Sequence, residues 1–216
     1  MPKTIPQLFT ENVGRVCHKW VHYLPVYERF FAPYKDRPIN ILEIGVSHGG
    51  SLEIWSKYFH PDSNIVGVDI EPLCKSIEGG NIKIFTGSQA DRNFMESLPY
   101  EFDIIIDDGS HLQSHVRETF NIMFPKLKNG GLYFVEDLHT AYWKDYEGGL
   151  RKQGSFIEDA KYMIDDINGH HVRESGYPSR YTNQIKGMYI TDSIVIIEKD
   201  NVLKPYAEVT GKKQIY

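Results

Sequence analysis

The chain has 216 residues, 41% hydrophobic and 25% charged, enough for one domain with a substantial core. Its 24 basic and 29 acidic residues leave a formal net charge of -5, which argues against a nucleic-acid binder driven by phosphate attraction. No apolar run reaches membrane-spanning length, no basic run forms a membrane patch, and Met1-Pro2-Lys3 does not open a secretory leader; with only Cys17 and Cys74, and no CxxC pair, the expected compartment is a reducing cytoplasm.

Residues 1–37 read as a helical cap with loops, dense in aromatics: Trp20, Tyr23, Tyr27, Phe30, Phe31 and Tyr34. Residues 38–143 then alternate strand and helix. INILEIGV (39–46) is a buried strand entering a glycine turn. Ser51 can cap the following helix, whose inner face carries Leu52, Trp55 and Phe59. NIVGVDIE (64–71) and NIKIFTGSQAD (81–91) are the second and third strands, and FDIIIDD (102–108) is the fourth. Ser114 can cap a helix with Val116, Phe120, Met123 and Leu127 inside. Asn129-Gly130-Gly131 closes that segment, and LYFVED is the fifth strand. Residues 144–216 hold a looser stretch, an amphipathic helix over 155–168, two strands in MYITDSIVIIEK that pivot near Asp192, and a tail. The expectation is a single α/β domain: a Rossmann-like, doubly wound, seven-stranded sheet, mostly parallel with one antiparallel strand near the C-terminus and helices on both faces.

Ligands of such sheets bind beyond the carboxyl ends of the strands, where the chain concentrates its acids. In LEIGVSHGGS, Gly45, Gly49 and Gly50 permit close backbone approach. Glu43 would repel a pyrophosphate but suits the ammonium of an amino acid. Asp69 can accept hydrogen bonds from ribose hydroxyls, and Ser51 stands at the head of the same helix. Gln89 suits either an adenine edge or a solvated loop. Two further runs, IIIDDGSH (104–111) and VEDLHTAYW (135–143), are strands that end in adjacent carboxylates. Parallel neighbours lie about 4.8 Å apart, so Asp108, Glu136 and Asp137 could share one ion. Oxygen donors without a histidine or cysteine pair favour Mg²⁺ over Zn²⁺. His111 on the Asp108 loop, or His139 after Asp137, could take a proton from an acceptor hydroxyl. Tyr142 and Trp143 suit a sugar pocket as well as a core or an interface.

Glu43, Gly45 and Asp69, in order through five strands, resemble the cofactor site of class I S-adenosylmethionine (SAM)-dependent methyltransferases. IDDGSH followed by VEDLHTAYW, with HYLPVYERFFAPYKDRPINILEIGV, the GSQAD turn and SIVIIEK, is similar to the metal-dependent sugar O-methyltransferases that tailor macrolide antibiotics, the mycinamicin 2''-O-methyltransferase type. That resemblance spans about His22 to Lys199. It implies Mg²⁺ on Asp108, Glu136 and Asp137, His111 as base and Asp107 beside the cofactor or serving the sheet edge. No counterpart of the separate N-terminal domain of the macrolide enzymes is seen, and the HxGG spacing is shorter than theirs. The sugar is therefore open: a natural-product glycoside, a polysaccharide or a nucleotide-sugar. A catechol-type phenol would use the same chelation. A related antibiotic-nucleus hydroxylase would need iron, for which no 2-His-1-carboxylate set is spaced. The expected partners are a small-molecule or glycan substrate, with neither nucleic acid nor membrane. The N-terminal aromatics and the tail after Lys199 could support a homo-oligomer.

Overall fold

The computed structural model describes residues 3–213. Seven strands form one sheet: β1 (Asn40–Ile44), β2 (Asn64–Asp69), β3 (Ile82–Thr86), β4 (Phe102–Asp107), β5 (Leu127–Val135), β6 (Ile185–Thr191) and β7 (Ile194–Lys199), in the order β3-β2-β1-β4-β5-β7-β6. The first five run parallel, and β7 is antiparallel to both its neighbours. This is the expected architecture. β4 is buried along its whole length, because helices cover both faces of a parallel sheet and leave its central strand no wet side.

Among the described residues, six α-helices accompany the strands: α1 (Ile5–Thr10), α2 (Leu24–Phe31), α3 (Gly50–Tyr58), α4 (Arg92–Ser97), α5 (Gln113–Met123) and α6 (Phe156–Ile167). One core packs Tyr27 and Phe31 of α2 against Trp55 of α3 and Phe134 of β5. The other packs Phe120, Phe124, Tyr133 and Phe156 on the opposite face. Among the described residues, no helix is long and apolar enough to cross a membrane.

Three local expectations are corrected. α3 opens one residue before Ser51, with left-handed Gly49 (φ 80°) as its N-cap, so Ser51 lies inside the first turn. α5 opens at Gln113 after Leu112, so Ser114 is no cap; its backbone N–H donates instead to Glu147 Oε2 at 2.9 Å from a distant loop. α5 also ends at Met123, ahead of Pro125, and β5 begins at Leu127, so Asn129-Gly130-Gly131 lies within a strand. Gly130 there has φ 74°, beside a register shift between Phe102 and Ile104.

Strand order reverses between β1 and β4. The chain leaves these neighbouring strands to opposite sides, which opens a crevice at their carboxyl ends. Every candidate site residue on β1, β2, β4 and β5 lies at or near that edge.

Candidate active site

The crevice holds two cavities that meet at Gly45, Asp69 and Gly109. The larger, about 320 Å³, is lined by the 45–51 loop, Cys17, Lys19, Asp108, His111 and Asp137. The smaller, about 210 Å³, continues past Ile70 and Gln89 to Ser110 and His115. Gly45 makes the passage. Its φ is 92°, and a Cβ there would lie 2.0 Å from the Asp108 carbonyl oxygen. Asp69 fastens the loop: Oδ2 accepts from the N–H groups of Val46 (2.8 Å) and Ser47 (3.0 Å), and Oδ1 from Glu71 N–H (2.9 Å). A carboxylate offers about four lone-pair sites, so Asp69 can still accept from a ligand hydroxyl.

At the β4 and β5 tips, Asp108, Glu136 and Asp137 line one further cavity of about 20 Å³, which has room for a single ion or water. Lys19 enters the same place. Its ammonium donates to Asp108 Oδ2 (2.6 Å), Glu136 Oε2 (2.9 Å) and Glu43 Oε1 (3.0 Å), with the side chain only 5% exposed. Burial disfavours the charged ammonium, but Asp108, Glu136 and Glu43 together hold the Lys19 pKa well above its usual value. Burial likewise pushes the Asp108 and Glu136 carboxyls up, and Lys19 opposes the rise. A second cation would oppose it further, so the charge balance of the pocket accommodates one. Tyr27 Oη donates to Glu136 Oε1, and Tyr23 Oη lies 3.0 Å from Asp137 Oδ1.

His111 Nε2 is 3.8 Å from both Asp108 Oδ1 and Asp137 Oδ2. Among the described residues these three form the one cluster of histidine, cysteine and acid side chains close enough to hold a metal. His111 (φ 58°) and Asp137 (φ 51°) are both left-handed. That conformation is held at about 1–3 kcal/mol per residue, and it is typical of functional sites. Burial pushes the Cys17 thiol up to about 12, which leaves it no nucleophile at neutral pH.

Asp108, Asp137 and His111 thus come together, while Glu136 lines the same small cavity outside that cluster, held by Lys19 and Tyr27. Gly45, Ser51 and Asp69 line the crevice. Four others are each held by the chain's own groups. Glu43 does meet an ammonium, but the chain's own: it is 1% exposed, held by Lys19 and by Trp55 Nε1 (2.8 Å), and lines none of these cavities. Gln89 is a buried brace, not a solvated loop residue. Its amide donates to Asp107 Oδ1 (3.1 Å) and Thr119 Oγ1 (3.0 Å) and accepts from Ser110 N–H (2.6 Å). Asp107 lies beneath the crevice floor, and burial pushes its carboxyl up to about 7. His139 lines none of these cavities, and its Nδ1 is 3.1 Å from Ser193 Oγ. Lys19, Tyr23 and Tyr27 carry no site role in the sequence pattern, and Trp55 reads there only as an inner-face helix residue. The only available signal was the density of aromatics before residue 37.

No protein-family model matches this chain. It is 34% identical over 213 residues to the 8-demethyl-8-(2-methoxy-alpha-L-rhamnosyl)-tetracenomycin-C 3'-O-methyltransferase of Streptomyces olivaceus, covering 92% of this chain and 54% of the relative. To the mycinamicin VI 2''-O-methyltransferase of Micromonospora griseorubida it is 35% identical over 196 residues, covering 82% and 48%. The structure of the MycE methyltransferase of the mycinamycin biosynthetic pathway, in complex with Mg, SAH and mycinamycin VI, superposes with a TM-score of 0.78 at 33% identity, covering 83% of this chain and 49% of that one. The chain spans about half the length of the curated relatives it matches.

Proposed function

Because the chain is related to the O-methyltransferases of antibiotic sugars, and carries their fold over about half their length, we propose that it methylates a sugar hydroxyl with SAM and Mg²⁺. The carrying observation is the ion-sized cavity lined by Asp108, Glu136 and Asp137, with His111 within 4 Å of two of those acids. SAM, when bound, supplies an electrophilic methyl group in the crevice that Gly45 opens and Asp69 shapes. Mg²⁺, when bound by Asp108, Glu136 and Asp137, lowers the pKa of a chelated hydroxyl and fixes its orientation.

The chain's own residues do the remaining work. His111 Nε2 takes the proton from the acceptor hydroxyl as that oxygen is alkylated, a role suited to imidazole near neutral pH. Asp108 and Asp137 flank the imidazole, each with a carboxylate oxygen 3.8 Å from Nε2. Tyr27 and Lys19 fix Glu136 from below, and Tyr23 fixes Asp137. Most of the rate gain comes from holding hydroxyl, base and cofactor in line. A small-molecule glycoside is the proposed substrate, in line with the names of the relatives.

Calorimetric titration tests the reading. SAM should bind metal-stripped protein with micromolar affinity, Mg²⁺ should bind separately, and Asp108→Ala should abolish the second event and leave the first. No SAM binding would overturn the cofactor assignment. Retained Mg²⁺ binding in Asp108→Ala would overturn the metal site.

A further inference from the structure

Beside the acidic centre lies a separate cleft of about 270 Å³, lined by Trp20, His22, His139, Trp143, Asp192 and Ser193. Trp20 also lines the ion-sized cavity of Asp108, Glu136 and Asp137, and Tyr23 Oη is within hydrogen-bond reach of both Asp137 Oδ1 and the Ser193 carbonyl, so the cleft borders that centre. Its walls are unusual for this chain. Trp20 and Trp143 are 49% and 52% exposed, whereas Tyr23, Tyr27 and Trp55 are buried. The two indoles flank the His139 ring, edge to face: centroids 5.6 Å apart at 79° for Trp20, and 4.8 Å at 68° for Trp143. Ser193 Oγ occupies His139 Nδ1, which leaves Nε2 for a ligand. His22 Nε2 sits 3.2 Å from the Asp192 carbonyl, which keeps the second imidazole at the rim.

We propose that this cleft is the acceptor-sugar subsite, seating the pyranose ring whose hydroxyl reaches the Asp108–His111 centre. The inference rests on the sugar O-methyltransferase reading and deepens it. Pyranoses present apolar C–H faces and a belt of hydroxyls. Two exposed indoles supply large rigid apolar walls, and His139, His22 and Asp192 supply convergent polar groups, the usual composition of a small-ligand site. The volume lies below the roughly 300–1,000 Å³ of sites for drug-sized ligands, so one ring is seated and the rest of a glycoside stays outside. The two imidazoles do not make a metal centre: among the described residues, the one metal-competent cluster is Asp108, His111 and Asp137. His139 is thereby a positioning group for the acceptor, and His111 keeps the base role.

Of the three tryptophans, Trp55 is buried, so collisional quenching of intrinsic fluorescence by acrylamide reports mainly on Trp20 and Trp143. Methyl α-L-rhamnopyranoside is the probe, because two relatives are named for action on rhamnosyl groups. Added at millimolar concentrations, it should shield the exposed tryptophans of the full chain, and glycerol at the same concentration should not. In Trp143→Ala the acceptor KM should rise at least tenfold with kcat changed less than threefold and SAM affinity unchanged; Trp143→Phe, which keeps an aromatic wall, should recover most of the loss. Shielding by 2-naphthol but not by the glycoside would overturn the proposal and make the cleft an aglycone site. Absence of shielding by either probe would also overturn it, as would an unchanged acceptor KM in both Trp143→Ala and Trp20→Ala. Failure of SAM to bind sinks the methyl-transfer reading instead, and the fluorescence result stands independently of it.

Discussion

At the scale of single residues, the chain relies on buried carboxylates with assigned partners. Asp103 on β4 is the simplest. Burial alone would raise its pKa, but the Lys128 ammonium (2.8 Å), the Asn40 N–H (3.0 Å) and the Arg37 guanidinium (2.9 Å) hold it below the usual range. A carboxylate with a lowered folded-state pKa stabilises the fold above its unfolded pKa, near 4, and the contribution disappears as pH falls through the folded value. Asp103→Asn should therefore lose about 2 kcal/mol at neutral pH in urea unfolding, with the difference from wild type shrinking below about pH 4. Lys19 is the inverse case: one ammonium serves three acids. Lys19→Met removes the shared partner and should destabilise the metal-free protein by about 3–5 kcal/mol in thermal or urea unfolding. Added Mg²⁺ should restore part of that loss in the variant. Destabilisation indifferent to Mg²⁺ would mean that Lys19 and the cation do not share their ligands.

At the scale of elements, the β1–α3 turn and the β4 tip are built against each other. Gly45 lets the turn pass over the Asp108 carbonyl, and Asp69 at the end of β2 ties the same turn through Val46 and Ser47. Gly45→Ala meets both a left-handed backbone, at about 1–2 kcal/mol, and a Cβ contact with backbone that has no room to give. It should lower the melting temperature and weaken SAM binding at least tenfold by calorimetry. An unchanged SAM affinity would remove this turn from the cofactor site. Helix α2 works differently. It places Tyr27 and Phe31 on one buried face, and Tyr27 reaches the floor of the acidic centre while its ring packs against Trp55 and Phe134. The N-terminal segment is thus a wall of the site as well as a cover for the sheet.

At the scale of the whole molecule, ligands that bind only the folded form stabilise it by mass action. SAM at 100 times its dissociation constant should contribute about 2.7 kcal/mol, a rise of roughly 5–10 °C in melting temperature for a chain of this size, measured by calorimetric or fluorescence melting. No shift at saturating SAM would contradict the proposed function. The sheet, its parallel strands, its antiparallel β7 and the carboxyl-end location of the acids were all legible in the sequence, because strand period, apolar runs and glycine turns are local signals. The pairing of Asp108 with Glu136 and Asp137 was legible too, since β4 and β5 are successive strands joined by one helix, and such strands are commonly neighbours. Lys19 was not: its partners lie 24, 89 and 117 positions away, and no local pattern records a contact of that range. The same limit hid the burial of Glu43 behind Lys19 and Trp55, the bracing role of Gln89 and the cleft between Trp20 and Trp143. What the sequence determined by itself is which strands form and which acids their tips carry. The tertiary structure alone decided which of those acids face an open cavity and which face a buried ammonium, because that depends on where a remote loop packs after the sheet has closed.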